Sequence, residues 1–406
     1  MRRWPEFDDE QIEDVVNVLR SGRVNAWTGE KVGEFEAAYA ELLGRRHAVA
    51  VSNGTVALDL ALYALDLKAG DEVVVTPRSF VASASCVAMA GGVPVFADVD
   101  QDNQAITADT IQKVLTSKTR AVIVVHLGGW PADMDPIMQL AREHDLVVIE
   151  DCAQAHGGEY KGRPVGSLGN ISTFSFCQDK IITTGGEGGL LALDDDDWWN
   201  KIWSRKDHGK SYDAVHRRDH PPGFRWLHET FGSNYRMMEI QATLGLRQLE
   251  RLPEWHERRR ENAAILMRAF RQVPGLRTPE PPAEIRHAWY RFYTFVRPDV
   301  LKPGWTRDAI MQAVLDLGVP CFSGSCSEIY REKAFIDAGF VPPEPLRIAA
   351  ELGETSLAFL VDPCQGEDDM QHVADCVARV MGEAVDHAAV RGARQPETPA
   401  QARTSV

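Results

Sequence analysis

The apolar positions of this chain fall into two patterns. Short, nearly continuous apolar runs read as buried strands, at 47–51, 72–77, 93–99, 121–126, 146–150 and 189–193. Between them, apolar residues recur at helical spacing. Ile12, Val15, Val16 and Leu19 do so within 8–20, and Phe35, Tyr39 and Leu42 within 32–43. Further helices are predicted at 56–65, 81–90, near 108–115, and at 134–143. Strands that are apolar throughout and alternate with helices imply a parallel sheet covered on both faces, an α/β fold. Ligands of such sheets bind at the carboxyl ends of the strands. Thr55, Phe80, His126, Asp151 and Gln154 all follow such ends.

The pattern changes after residue 193. The run Asp194-Asp195-Asp196-Asp197 reads as a solvated turn. Residues 206–231 are polar, aromatic and rich in His and Pro, which predicts a long loop beside a site or an interface. Two helices follow, 239–252 and about 254–273. Proline and glycine then cluster over 274–282. Strands at 289–296 and 356–361 and helices at 307–317 and 368–385 predict a smaller α+β unit. The expected organisation is a large domain over 1–255, a small domain over 256–386, and a disordered tail over 387–406.

Composition narrows the function. A chain of 406 residues with 44 basic and 59 acidic side chains, net −15, is a poor nucleic-acid binder. Its seven cysteines lack CxxC or Cys/His spacing, so neither a metal site nor a disulfide framework is expected. No apolar h-region follows Met1–Glu6, and no apolar run is long enough to span a membrane. These features predict a cytoplasmic protein.

The candidate chemistry lies between Asp151 and Gly189. An acidic residue ends one apolar run, and Lys180 stands between a β-like stretch, Ser172–Phe176, and a glycine-rich loop, Thr184–Gly189. Pyridoxal phosphate (PLP) needs such parts, a lysine and an acidic group for its ring nitrogen. Upstream, Val51 runs into Ser52-Asn53-Gly54-Thr55 and a helix, an arrangement that suits a phosphate. Read one by one, these residues have ordinary alternatives. The Gly-Thr turn can be a plain strand-to-helix turn, Asp151 a helix cap, His156 a packed histidine, and Cys177 a small apolar filler.

Together, Glu150–Gly157, Ser175–Lys180, Thr184–Gly189, Asn53–Thr55 and Asn234–Arg236 resemble the DegT/StrS family of PLP-dependent sugar aminotransferases. The resemblance covers roughly 20–385 and implies the fold-type I architecture, a large domain with a mostly parallel sheet plus a smaller C-terminal domain. It implies that Lys180 carries the cofactor as a Schiff base and that Asp151 pairs with the pyridine nitrogen. By the same resemblance Gln154 contacts the ring, Phe80 stacks on it, and Gly54, Thr55 and Ser175 take the phosphate. Asn234 would reach a partner subunit's phosphate in a homodimer. Trp27, His156 and Arg236 are candidate substrate contacts, with Lys210, His216 and His220 in the loop. A lowered Lys180 pKa, from burial and cationic neighbours, would suit this role.

The implied reaction moves an amino group from glutamate or glutamine to a nucleotide-linked keto sugar in surface-glycan or natural-product biosynthesis. A cyclitol ketone is an alternative acceptor, and a non-catalytic, regulatory PLP protein is a second class. The sequence departs from the commoner family pattern at Cys177-Gln178-Asp179 and in its long 206–231 insert, which bears on the substrate more than on the chemistry.

Overall fold

The structure is a computed structural model that describes residues 4–219 and 225–392. The first half of the chain supplies β1 (His47–Val51), β2 (Glu72–Val75), β3 (Val93–Phe96), β4 (Thr119–Val125) and β5 (Val147–Asp151). A small hairpin follows, β6 (Glu159–Tyr160) and β7 (Arg163–Pro164), and the chain then adds β8 (Ile171–Ser175) and β9 (Gly189–Leu193). Seven of these strands make one sheet in the order β1-β9-β8-β5-β4-β2-β3. Only β9 runs against its neighbours in it, pairing antiparallel with both β1 and β8. A parallel return would need a crossover helix. The 176–188 segment has none and comes straight back as a loop, and that loop carries Lys180.

The strands are apolar on both faces because helices cover both. On one side, Val49, Val73, Ile123 and Leu191 pack with Leu58, Ala61 and Val87 of the helices Gly54–Ala64 and Ala82–Met89. On the other, Ala50, Phe174 and Leu190 pack with Phe35 and Tyr39 of Lys31–Leu43.

A second, antiparallel sheet has the order β10-β12-β14-β13, built from β10 (Leu276–Arg277), β12 (Phe292–Val296), β13 (Cys321–Phe322) and β14 (Ser356–Phe359). Between β10 and β12, β11 (Ile285–Arg286) joins the hairpin β6-β7 as a third strand. The core of the second sheet takes in the helix Glu367–Ala384 and runs back to Ala263. The chain also returns to the large sheet, where Ile329, Tyr330 and Phe335 join its core.

Several elements differ from the sequence reading. The two helices expected around residue 253 are one, Glu239–Phe270, with Pro253 inside it. A mid-helix proline costs roughly 3 kcal/mol. Burial of Leu252, His256 and Arg259 on either side holds the helix through it. A division at 255 therefore falls within an unbroken helix.

The Asp194–Asp197 run is not a free turn. Asp195 caps the helix Asp196–Lys206 by accepting from the Trp198 N–H, and Asp194 and Asp196 pair with Arg45 and Arg46. The 206–231 insert is anchored, with a helix at Tyr212–His216 and buried Lys206, Asp207, Lys210, Ala214 and Leu227. His220 lies outside the described residues.

The start of the expected tail is helical, His387–Gly392, with Asp386 capping Ala388 and Val390 packed on the second core. Residues 393–406 lie outside the described residues. Among the described residues, no helix is long and apolar enough to cross a membrane.

Candidate active site

A cleft of about 600 Å3 opens at the carboxyl ends of the strands. Gly54, Thr55, Phe80, Asp151, Gln154, Ser175 and Lys180 all line it. Each arrives for a local reason. Asn53 caps the helix Gly54–Ala64, its side chain accepting from the Val56 N–H at 2.9 Å, so the helix starts at the cleft wall. Gly54 must be glycine there, since a Cβ would stand 2.6 Å from Cβ of Ser175. Phe80 precedes the helix Ala82–Met89 and keeps 66% of its surface exposed. An aromatic ring left that bare in a cleft suits a flat ligand.

Asp151 ends β5 and is buried. One carboxylate oxygen accepts from the Ser83 hydroxyl at 2.7 Å and the other from the Ala153 N–H at 3.1 Å. Burial nonetheless raises its pKa, outweighing these bonds and the positive charge of Lys180. A cationic N–H in the cleft would reverse that shift. Gln154 is fixed by the Gly128 N–H, which donates to its side-chain oxygen at 2.7 Å.

Lys180 projects from the β8–β9 loop with 16% of its side chain exposed. Its Nζ lies 3.3 Å from the Tyr290 hydroxyl and 3.5 Å from an Asp179 oxygen. Burial works to lower its pKa, but Tyr290 and Asp179 outweigh burial and the net shift is upward. This corrects the expectation of a lowered value, because the groups that meet the amine directly are the Tyr290 hydroxyl and the Asp179 carboxylate.

Tyr290 itself stays a neutral phenol, since burial raises its pKa. It donates to the second Asp179 oxygen. At Asp179, burial works upward, but Lys180, Tyr290 and Arg291 leave the carboxyl below its usual range.

Tyr290 and Ser83 escaped the sequence reading. Position 290 reads as part of a strand over 289–296, yet β12 begins only at Phe292. Trp289 takes a left-handed φ of 53°. The turn docks on Gly128-Gly129, with the Ala288 N–H donating to the Gly129 carbonyl at 2.7 Å and the Arg291 N–H to the Gly128 carbonyl at 3.1 Å. That glycine pair, straight after β4, was the available signal: a Cβ on Gly129 would meet backbone atoms of Trp289, Gln154 and Tyr290 at 2.9–3.0 Å.

Four candidates stand apart from the cleft of their own chain. His156 is fully buried behind it. Its Nδ1 meets the Tyr39 hydroxyl at 2.7 Å and its Nε2 the Ser175 carbonyl at 2.8 Å, while burial lowers its pKa to about 3. It is neutral, it does not line the cleft, and both ring nitrogens have partners within the chain.

Asn234 is exposed and bridges to Asp207. Arg236 pairs with the same Asp207 at 2.5 Å, as does Lys210 at 3.2 Å, and the Lys210 ammonium lies 3.9 Å from the centre of the Trp27 ring. The Trp27 and His216 rings lie parallel, 6.4 Å apart. Trp27, Asn234 and Arg236 thus form one patch with the insert.

A further buried group, His126, Glu150 and Cys152, has metal-ligand chemistry. Its donors are already engaged. Glu150 accepts from the N–H groups of Gly166, Leu168 and Gly169 and from His126 Nε2, and His126 Nδ1 accepts from the Ala132 N–H. The group ties β5 to the loop before β8.

Residues 5–378 match the sequence profile of the DegT/DnrJ/EryC1/StrS aminotransferase family. The spore coat polysaccharide biosynthesis protein SpsC of Bacillus subtilis is 39% identical over 77% of this chain and 79% of its own. The GDP-perosamine synthase of Escherichia coli O157:H7 is 42% identical over 64% of this chain and 68% of its own. Among solved structures, an aminotransferase from Psychrobacter cryohalolentis superposes with a TM-score of 0.92 at 50% identity, covering 94% of this chain and 99% of that one. The fold is the fold-type I arrangement of these enzymes. The chain belongs to the DegT/DnrJ/EryC1/StrS aminotransferase family and is an enzyme of that class.

Proposed function

We propose that the protein binds pyridoxal phosphate in the strand-end cleft and transfers an amino group from glutamate or glutamine to the ketone of a nucleotide-linked sugar. The observation that carries this reading is that Lys180 and the buried carboxyl of Asp151 line a single cleft. The residues present fit the group. The N-terminus of the Gly54–Ala64 helix, with Thr55 and Ser175, offers N–H groups and hydroxyls to a phosphate. Phe80 supplies a face for a flat ring, and Asp151 an anion for a protonated ring nitrogen.

When bound, the cofactor supplies an electron sink for the carbon that gives or receives the amine. The chain does the rest. Lys180 Nζ holds the cofactor and moves the proton, Ser83 keeps Asp151 oriented, and Gln154 is locked in place by Gly128. The sugar acceptor is supported by the relatives named for GDP-perosamine and spore-coat polysaccharide synthesis. Donor and acceptor share one site, so ping-pong kinetics follow. We further propose a homodimer in which Asn234 serves the partner's cleft, because it is exposed and does not line its own.

The test is an absorbance spectrum of the purified protein with PLP, before and after adding glutamate. A band near ~420 nm that fades on adding the donor supports the reading. A protein with no such band has no lysine-bound cofactor, and the proposal fails. A band that neither glutamate nor glutamine changes would remove those donors. Turnover of a nucleotide-linked keto sugar, followed by mass spectrometry, checks the acceptor.

A further inference from the structure

The lysine loop departs from a bare amine facing a cofactor in one respect. The Lys180 amine is already held. Tyr290 accepts from Nζ at 3.3 Å, and its ring lies under the ammonium with the centre 4.8 Å away. The Tyr290 hydroxyl gives its own proton to Asp179, whose other oxygen lies 3.5 Å from the amine. Arg291 closes the group, with its guanidinium 4.2 Å from the Tyr290 ring centre and 3.5 Å from Asp179.

We propose that Tyr290, backed by Asp179 and Arg291, is a positioning residue that receives the free Lys180 amine whenever it is not joined to a carbonyl and holds it at the cleft edge as an ammonium. This rests on the reading that Lys180 is the carbonyl-binding lysine.

Geometry carries the argument. A lysine released from a covalent bond has four rotatable bonds and would otherwise swing into solvent. Here one acceptor and one carboxylate fix its end. The acceptor is set by a distant segment, since Tyr290 reaches the loop only because the 288–291 turn is docked on Gly128-Gly129. The same glycine pair holds Gln154, whose side-chain oxygen accepts from the Gly128 N–H at 2.7 Å, so the hold on the amine and the cofactor contact are built on one joint.

The charged and titratable groups around the amine are Asp179 and Cys177 on its own segment and Tyr290 and Arg291 on the docked turn. Asp151 at the end of β5 and the neutral His156 complete the set. Of these, Asp179 and Tyr290 favour the protonated amine most directly. Removing either leaves burial to act with less opposition, so the amine loses its proton at lower pH.

The experiment uses the full-length chain freed of bound cofactor, with Tyr290→Phe and Asp179→Asn. Lys180 is acylated with trace acetic anhydride across a pH series, and the modified peptide is quantified by mass spectrometry. The pH of half-maximal labelling is expected to fall by about one unit in each variant. Tyr290→Phe keeps the buried ring. Asp179 is half exposed, so Asp179→Asn carries the test should the other variant misfold.

An unchanged midpoint in a folded variant overturns the proposal. Lys180→Ala, mixed with PLP, tests the underlying reading separately. If it still forms the yellow band, the lysine assignment fails. If the band is lost while the labelling midpoints do not move, the assignment stands and only the holding role is wrong.

Discussion

At the scale of the residue, the site depends on a few close approaches. Lys180→Ala should abolish both the yellow absorbance and turnover while leaving the fold intact, and turnover retained in that variant would remove Lys180 from its role. Gly129 has φ of 94°, and a Cβ there would meet three backbone atoms at 2.9–3.0 Å. Gly129→Ala is expected to cost about 2 kcal/mol or more in denaturant unfolding, with weakened cofactor binding as the turn that carries Tyr290 lifts. A variant with wild-type stability would show that the joint is looser than its geometry.

The buried histidines set a pH dependence. Burial lowers His156 to about 3 and His256 to about 4. Both values lie below the unfolded one, so as pH falls through about 6.5 the unfolded chain takes up protons that the folded chain refuses. Stability should therefore decline between about pH 6.5 and 4, by roughly 1 kcal/mol per pH unit for each histidine. Urea midpoints measured from pH 7 to 5 check this, and a flat profile would contradict the buried, neutral assignment.

At the scale of the element, helix ends explain sequence features that look like mere polarity. Asp195 caps Asp196–Lys206 by accepting from Trp198 at 2.8 Å, whereas Asp197 only sits in the first turn. Asp195→Ala should cost about 1 kcal/mol in stability, and Asp197→Ala much less. Equal effects would mean that the aspartate run acts through its summed charge and not through one cap. The reversed strand β9 matters in the same way. Because β8 returns directly as β9, the lysine loop is short, closed at both ends by sheet pairing, and stiff enough to present one amine.

At the scale of the whole molecule, the patch of exposed Asn234 and half-buried Trp27 and Arg236 is separate from its own cleft. If Asn234 completes a partner's site, Lys180→Ala and Asn234→Ala are each inactive, but mixing them should restore roughly a quarter of wild-type activity through dimers with one sound site. No recovery after unfolding and refolding the mixture, with a dimer seen by sedimentation, would confine Asn234 to its own chain.

The sequence by itself determined the architecture and most of the cleft. Apolar runs alternating with helical periodicity specify a covered, mostly parallel sheet, and strand ends converge at one edge whatever the details. Thr55, Phe80, Asp151 and Gln154 were legible as strand-end residues, Gly54 and Lys180 through the glycine-rich turns beside them, and Ser175 only through the family resemblance; His126 also follows a strand end but does not line the cleft. Periodicity is a local signal, and three things lay beyond it. Pro253 looked like a break because a local penalty was visible and the packing that overrides it was not. His156 resembled a ligand contact because only the folded chain supplies Tyr39 and the Ser175 carbonyl to satisfy it. The upward pKa of Lys180 depends on Tyr290, 110 positions away and aimed by a left-handed turn on a glycine pair. Such contacts are set by which backbones can approach, and that is decided only when the whole chain has closed.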